Sequence, residues 1–268
     1  MIDFGSVLIV GGNMYLGQLL RRSLDRRFSR VRSLDSQPMS LLRDGEELVA
    51  GDIGHPDFLS EAMAGFDIVV DVSKLDLARC GGGEPAASAL GAFGLWEGAR
   101  LAGVRRVVVL VSDGVVGFYR RSATLDHLTP SRPDSPLGLI GTVQEATASL
   151  YAYKFGIQAM AIRMGSCRPE PLDERMLSTW ISPSDFCRLI EMALTADYLF
   201  EIVYGVSANA DRWWDNANAR RLGYMPRDRS DRFAAALRGR RSANAVENAF
   251  QGGAAAASDF AGDLRRIP

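Results

Sequence analysis

SVLIVGGNMYLG, residues 6–17, is the stretch whose reading decides the fold. Ser6 to Val10 is a continuous, β-branched run, the pattern of a strand buried on both faces of a parallel sheet. Glycines follow at once, and Leu16, Leu19, Leu20 and Leu24 then recur at helical spacing. Strand, glycine turn and helix therefore come in the order of a dinucleotide-binding unit. Gly11 allows the tight turn and Gly17 lets the helix close on the strand. The loop departs from a full glycine fingerprint at Met14, whose side chain crowds the place of a pyrophosphate. A short strand, Val31 to Leu34, ends in Asp35, about twenty residues after the loop, where an acid holds the ribose hydroxyls of an adenine nucleotide. The expected cofactor contacts are Gly11, Gly12, Asn13, Met14, Tyr15, Leu16, Gly17 and Asp35, with NAD or NADP as the cofactor. On these residues alone, a Rossmann-type turn that holds no nucleotide stays open as the alternative.

Outward from the loop the alternation continues. Asp67 to Val72 and Val107 to Val111 read as buried strands, and Ala86 to Ala102 as the helix between them. Lys74 and Asp76 follow a strand carboxyl end, where pocket residues gather in open α/β folds. Asp76 is carried as a substrate candidate. Ser112, Asp113 and Gly114 leave the central strand, and Asp134 or Ser135 can cap a helix whose first turn holds Pro136. Ile157 to Ile162 is a further strand, after which the chain makes a proline-rich excursion, a helix from Pro183 to Leu194 and a closing strand at Ile202 to Tyr204. Trp213 and Trp214 read as core anchors. The fold class is α/β, a Rossmann-type doubly wound parallel sheet with a small C-terminal substrate-binding excursion. One domain is expected over residues 1–242, with the nucleotide part at about 1–162, substrate segments at about 163–222, and a loosely held tail over 243–268.

Composition narrows the function. The 268 residues carry a formal charge of −1, which gives no bulk electrostatic case for nucleic acid or an anionic membrane. Arginines cluster from Arg227 to Arg241, where a solvated amphipathic helix is expected. No run approaches a membrane span and no leader pattern opens the chain, so a cytoplasmic protein is expected. Cys80, Cys167 and Cys187 are widely spaced, His55 and His127 are the only histidines, and no metal site is expected.

The runs GFYRRSATLDHLTPSRPDS, SLYAYKFG, AIRMGSCRPEP, RMLSTWISPSDF, YGVSANADRWWDN and NAFQGG cover most of Gly117 to Gly253. In these the chain resembles the extended short-chain dehydrogenase/reductase superfamily, and within it the uronate dehydrogenase family, whose members oxidise a uronic acid with NAD. The resemblance implies that Ser166, Arg175, Asn209 and Ser112 hold the substrate, and that Asp52 and Ile53 lie beside the adenine. An arginine grips a carboxylate bidentately, which suits an acidic sugar. It further implies a homo-oligomer.

The departures fall together. The Tyr-x-x-x-Lys pair of that family falls on Leu137 and Gly141, and its Asn-His after the active-site serine reads Asp113-Gly114. Neither Leu137 nor Gly141 can move a proton, so standard hydride transfer is not expected. The expected function is a non-standard reaction on a small carboxylated, uronate-like substrate, with Asp113 as general base and Ser112, Tyr119 and His127 as further candidates. Two alternatives stand beside it. One is a weak NAD(P)-dependent oxidoreductase, the other a non-catalytic binding protein or partner subunit.

Overall fold

The computed structural model describes residues 5–24, 28–42, 44–53, 55–75 and 85–268. A seven-stranded parallel sheet runs in the order β3-β2-β1-β4-β5-β6-β9. Its strands are β1 (Ser6–Val10), β2 (Arg30–Asp35), β3 (Glu47–Ala50), β4 (Ile68–Asp71), β5 (Arg106–Ser112), β6 (Gln158–Met164) and β9 (Phe200–Gly205). Five helices alternate with them: α1 (Tyr15–Ser23), α2 (Pro56–Met63), α3 (Pro85–Leu101), α4 (Pro136–Phe155) and α6 (Pro183–Thr195). The excursion holds β7 (Ser166–Cys167), α5 (Met176–Thr179) and β8 (Trp180–Ile181), with β7 and β8 paired as a second, two-stranded sheet. Strand order reverses beside β1, which pairs in parallel with β2 on one side and β4 on the other. Such a switch point leaves a crevice at the strand carboxyl ends.

The chain divides into two compact units, where the sequence reads as one domain. Unit 1 comprises Met1–Val111, Val143–Ile162 and Ala193–Glu201. Its core is the apolar strand run expected from the sequence: Val7, Leu8 and Ile9 in β1 and Val107 to Val111 in β5 are fully buried. Beneath the glycine turn, buried Arg21 donates from Nε to Glu46 at 2.6 Å, and Ser33 Oγ donates to the same carboxylate. Burial alone would raise the Glu46 pKa, but the hydrogen bonds from Arg21, Ser33 and the Leu42 amide outweigh it and hold the carboxyl below its ordinary value.

Unit 2 comprises Ser112–Thr142, Arg163–Met192 and Ile202–Pro268. Trp214 stacks on Tyr204 with ring centroids 4.9 Å apart, which makes it the core anchor the sequence suggests. Residues 243–268 are no loose tail. Phe250 and Gln251 are buried, Trp214 Nε1 donates to Gln251 Oε1 at 2.9 Å, and Arg120 donates to the Leu264 and Ile267 carbonyls. An apolar ring and a polar side chain with three partners supply the anchoring that a composition rich in alanine and glycine conceals. Residues 227–241 also differ from the expected solvated amphipathic helix, forming a 3-10 turn (Ser230–Phe233) and a short helix (Ala234–Leu237).

Candidate functional site

The glycine turn lies wholly in unit 1. The Gly11 and Gly12 amides both donate to the Leu34 carbonyl, at 2.8 and 3.1 Å, which pins the turn to the end of β2. Gly11 sits at φ 89°, a left-handed conformation that a side chain would strain. At Gly17 a Cβ would overlap the Gly11 carbonyl, so the close approach of α1 to the turn needs glycine there. Met14 takes the N-cap position of α1, no side chain caps that end, and no acid stands in the first turn. The Met14 sulfur folds back over Gly11, 3.2 Å from where a Cβ of that residue would stand. Asp35 is buried and accepts from the Asn13 amide at 2.9 Å and the Gln37 amide at 3.2 Å. Asp52 is exposed and Ile53 buried. An uncapped helix start, a glycine in a left-handed conformation and a buried acid beside them fit a dinucleotide's pyrophosphate and ribose.

The remaining candidates described belong to unit 2. Ser112 ends β5, and its Oγ accepts from the Gly114 amide at 3.0 Å, capping the 3-10 turn Asp113–Val116. That turn presents Asp113 to Arg175. Arg175 Nη2 donates to Asp113 Oδ2 at 2.7 Å, and both side chains are 17% exposed. Arg175 Nε donates to the Gln251 carbonyl at 2.7 Å, and Nη1 has no partner among the described residues. The arginine expected to anchor a substrate carboxylate is thus already held by a carboxylate of its own chain. A Cβ on Gly253 would stand 2.8 Å from Arg175 Cδ, so the segment QGG must be this small to lie against the guanidinium.

Beside this pair lies a residue that the sequence suggested only as a helix cap. Asp134 is buried, and its Oδ2 has no hydrogen-bond partner; a Cβ on either Gly117 or Gly252 would overlap that oxygen. Oδ1 accepts from Ser135 Oγ at 2.8 Å. Burial pushes the Asp134 carboxyl up to about 6, partly offset by the Ser135 hydroxyl and reinforced by the Asp113 charge. The helix cap itself is Ser135, whose Oγ accepts from the Gly138 amide at 3.2 Å at the start of α4. Leu137 is half-buried and Gly141 buried, and neither has a side chain that can carry a proton.

Other sequence candidates do not join the pair. Asn209 is buried, donates from Nδ2 to the Trp180 carbonyl at 2.8 Å and accepts from the Ser230 amide at 3.0 Å, so both ends of its amide serve the fold of unit 2. Tyr119 turns to its own loop, donating to the Pro130 carbonyl at 3.1 Å under Arg132. Ser166 opens β7 half-buried, and its hydroxyl has no partner among the described residues. Asp76 and Cys80 lie outside the described residues. Among those described, no group of three or more His, Cys, Asp or Glu could hold a metal ion, and no helix is long and apolar enough to cross a membrane. Burial pushes the Cys167 thiol up to about 12. Two participants carry a sequence signal without an assigned role: Asp134 reads as a helix cap, and the run NAFQGG stands out for its resemblance alone.

A parallel sheet with a glycine turn after its first strand and an acid ending its second defines a Rossmann-type dinucleotide-binding class. The profile of the NAD dependent epimerase/dehydratase family matches residues 7–184, and the chain belongs to that family. It is 37% identical to a uronate dehydrogenase of Pseudomonas syringae pv. tomato over 97% of this chain and 96% of the relative. It is 34% identical to another from Pseudomonas putida, over 94% of this chain and 95% of the relative. Among solved structures, it is similar to a point mutant of uronate dehydrogenase from Agrobacterium tumefaciens complexed with NAD, with a TM-score of 0.87, 31% identity and coverage of 94% of this chain and 97% of the other.

Proposed function

We propose that this chain binds a small carboxylated sugar and performs acid–base chemistry on it, with Asp113 as a base that the substrate itself releases. The observation that carries the reading is the Arg175–Asp113 pair at 2.7 Å. A sugar acid entering unit 2 presents a carboxylate that competes with Asp113 for the guanidinium fork. Arg175 Nη1, without a partner among the described residues, offers the first contact. Transfer of Nη2 to the substrate then frees Asp113 Oδ2 to accept a proton. Leu137 and Gly141 stand at the positions of the Tyr and Lys that the resemblance implies, so proton transfer has to come from another group, and Asp113 is the carboxylate at hand. Ser166, with an uncommitted hydroxyl, is the companion substrate contact in this reading.

NAD belongs to the same proposal. Gly11, Gly12, Asn13, Met14 and Gly17 would hold its pyrophosphate and Asp35 its ribose, and the hydride acceptor it would supply when bound is called on only in the second reading below. Two findings support this: the uncapped start of α1 and the similarity to a dehydrogenase solved with NAD. We also infer a homo-oligomer, to be read by light scattering of the purified chain.

The Asp113→Asn variant tests the competition. Removing the internal carboxylate leaves Arg175 to the substrate, so glucuronate or galacturonate should bind about tenfold more tightly while turnover is lost, on the scale of one charge-assisted hydrogen bond. Weaker binding with turnover intact overturns the reading. A second reading, NAD-linked oxidation of a uronic acid, is favoured by the similarity to uronate dehydrogenases over nearly the whole chain. Incubation with NAD or NADP and a panel of uronic acids decides between the two. Without a tyrosine and lysine at positions 137 and 141, general acid–base help worth roughly a hundred- to ten-thousand-fold is missing, and no reduced nicotinamide is expected.

A further inference from the structure

A cavity of about 630 Å³ opens in unit 2 beside the loop after β9 and the short helix α7 (Ala217–Arg221). Arg212, Arg220 and Arg229 line it together with Trp214, Tyr224 and Met225, and no Asp or Glu lies among its described lining residues. Neither Asp113 nor Arg175 belongs to it.

The aromatic walls have no polar group to spare: Trp214 Nε1 donates to Gln251 Oε1 and the Tyr224 hydroxyl to the Val206 carbonyl. What the cavity offers a ligand is therefore its guanidinium groups. Arg220 pairs with Asp215 at 3.0 Å and Arg229 with Asp231 at 2.6 Å, and all four side chains are at least a third exposed. Exposed ion pairs of this kind are weakly held and exchange readily for a competing anion. Arg212 has no such pair. Its sequence neighbour Asp211 is drawn to Arg238 at 3.1 Å, and Arg212 makes no hydrogen bond or ion pair among the described residues. An unpaired guanidinium and two loosely paired ones, with no carboxylate among the described lining residues, leave the concavity with an excess of positive charge. Such a surface concentrates anions, and planar guanidinium forks match the oxygens of phosphate and carboxylate groups.

We propose that this cavity binds a small multivalent anion whose charged oxygens span Arg212 and the two neighbouring arginines. A single negative charge has only Arg212 to meet, whereas a multivalent one can displace Asp215 and Asp231 as well.

Isothermal titration of the full chain with pyrophosphate and with citrate at constant ionic strength, acetate serving as the monovalent control, tests the proposal. Saturable binding of one or both multivalent anions is expected, with acetate silent; the tighter of the two tells a phosphate from a carboxylate ligand. Arg212→Gln, on the exposed rim, should weaken binding by about tenfold, the effect of one charge-assisted contact, and R212Q/R229Q should abolish it. Circular dichroism of the variants separates lost binding from lost fold. Absence of saturable binding overturns the proposal, and so does binding that R212Q leaves unchanged, since the anion would then sit on Arg175 or the glycine turn. Neither result depends on whether a uronate or NAD binds.

Discussion

Asp134 is where a single residue makes a measurable difference. Its folded pKa, raised to about 6, exceeds that of a carboxyl in an unfolded chain, so the folded protein binds this proton more tightly. The contribution to stability is full below about pH 4 and is lost as pH rises through about 6, for a total of about 3 kcal/mol. Asp134→Asn should flatten the pH dependence over that window, whatever constant offset the new amide adds; denaturant midpoints collected from pH 4 to 8 read it directly. A variant whose profile matches the parent would mean that the carboxylate is solvated. The residue's importance was hidden in the sequence because burial against glycines depends on Gly117 and Gly252, which lie far apart along the chain. Asp113 was legible as a candidate base from its place after a central strand. Its partner was not, because a salt bridge across 62 positions leaves no local pattern.

At the level of elements, the glycine turn and its supports carry the fold of unit 1. Val7 to Val10, the turn and α1 read directly from periodicity, since strand and helix periods differ and the glycines mark the join. Beneath them the Arg21–Glu46 pair is buried and ties α1 to the segment before β3. Arg21→Met would leave the Glu46 charge in a dry site, at a cost of about 3–5 kcal/mol. Urea unfolding of the variant at neutral pH checks this, and the loss should shrink in acid as Glu46 takes up a proton. The stretch 227–241 marks the opposite case. Its arginines have helical spacing in part, yet the Arg227 and Asp228 amides donate to buried Asp185, a tertiary tie that overrides local propensity.

For the molecule as a whole, the prediction is a linkage. NAD at a hundred times its dissociation constant should stabilise the chain by about 2.7 kcal/mol, seen as a rise in Tm, because only the folded turn binds it. Gly17→Ala, whose Cβ would overlap the Gly11 carbonyl, should abolish that rise and lower the Tm of the free protein. A rise retained in the variant would place NAD away from the turn. The class of fold followed from the sequence; the division into two compact units did not, because it follows from which segments touch, and no change in composition marks residue 111, 142 or 162.

The Arg175 Nε contact with the Gln251 carbonyl has a consequence for saturation mutagenesis. That acceptor is a main-chain oxygen, present in all twenty amino acids. Replacing Gln251 would report on the bond between its side chain and Trp214 and stay silent on the carbonyl. Intolerance would surface two positions on, at Gly253, where only the absence of a side chain matters. Half of what orients this arginine therefore escapes substitution at the residue that supplies it, and would register in experiments that alter the backbone itself, such as an ester in place of an amide or a one-residue deletion.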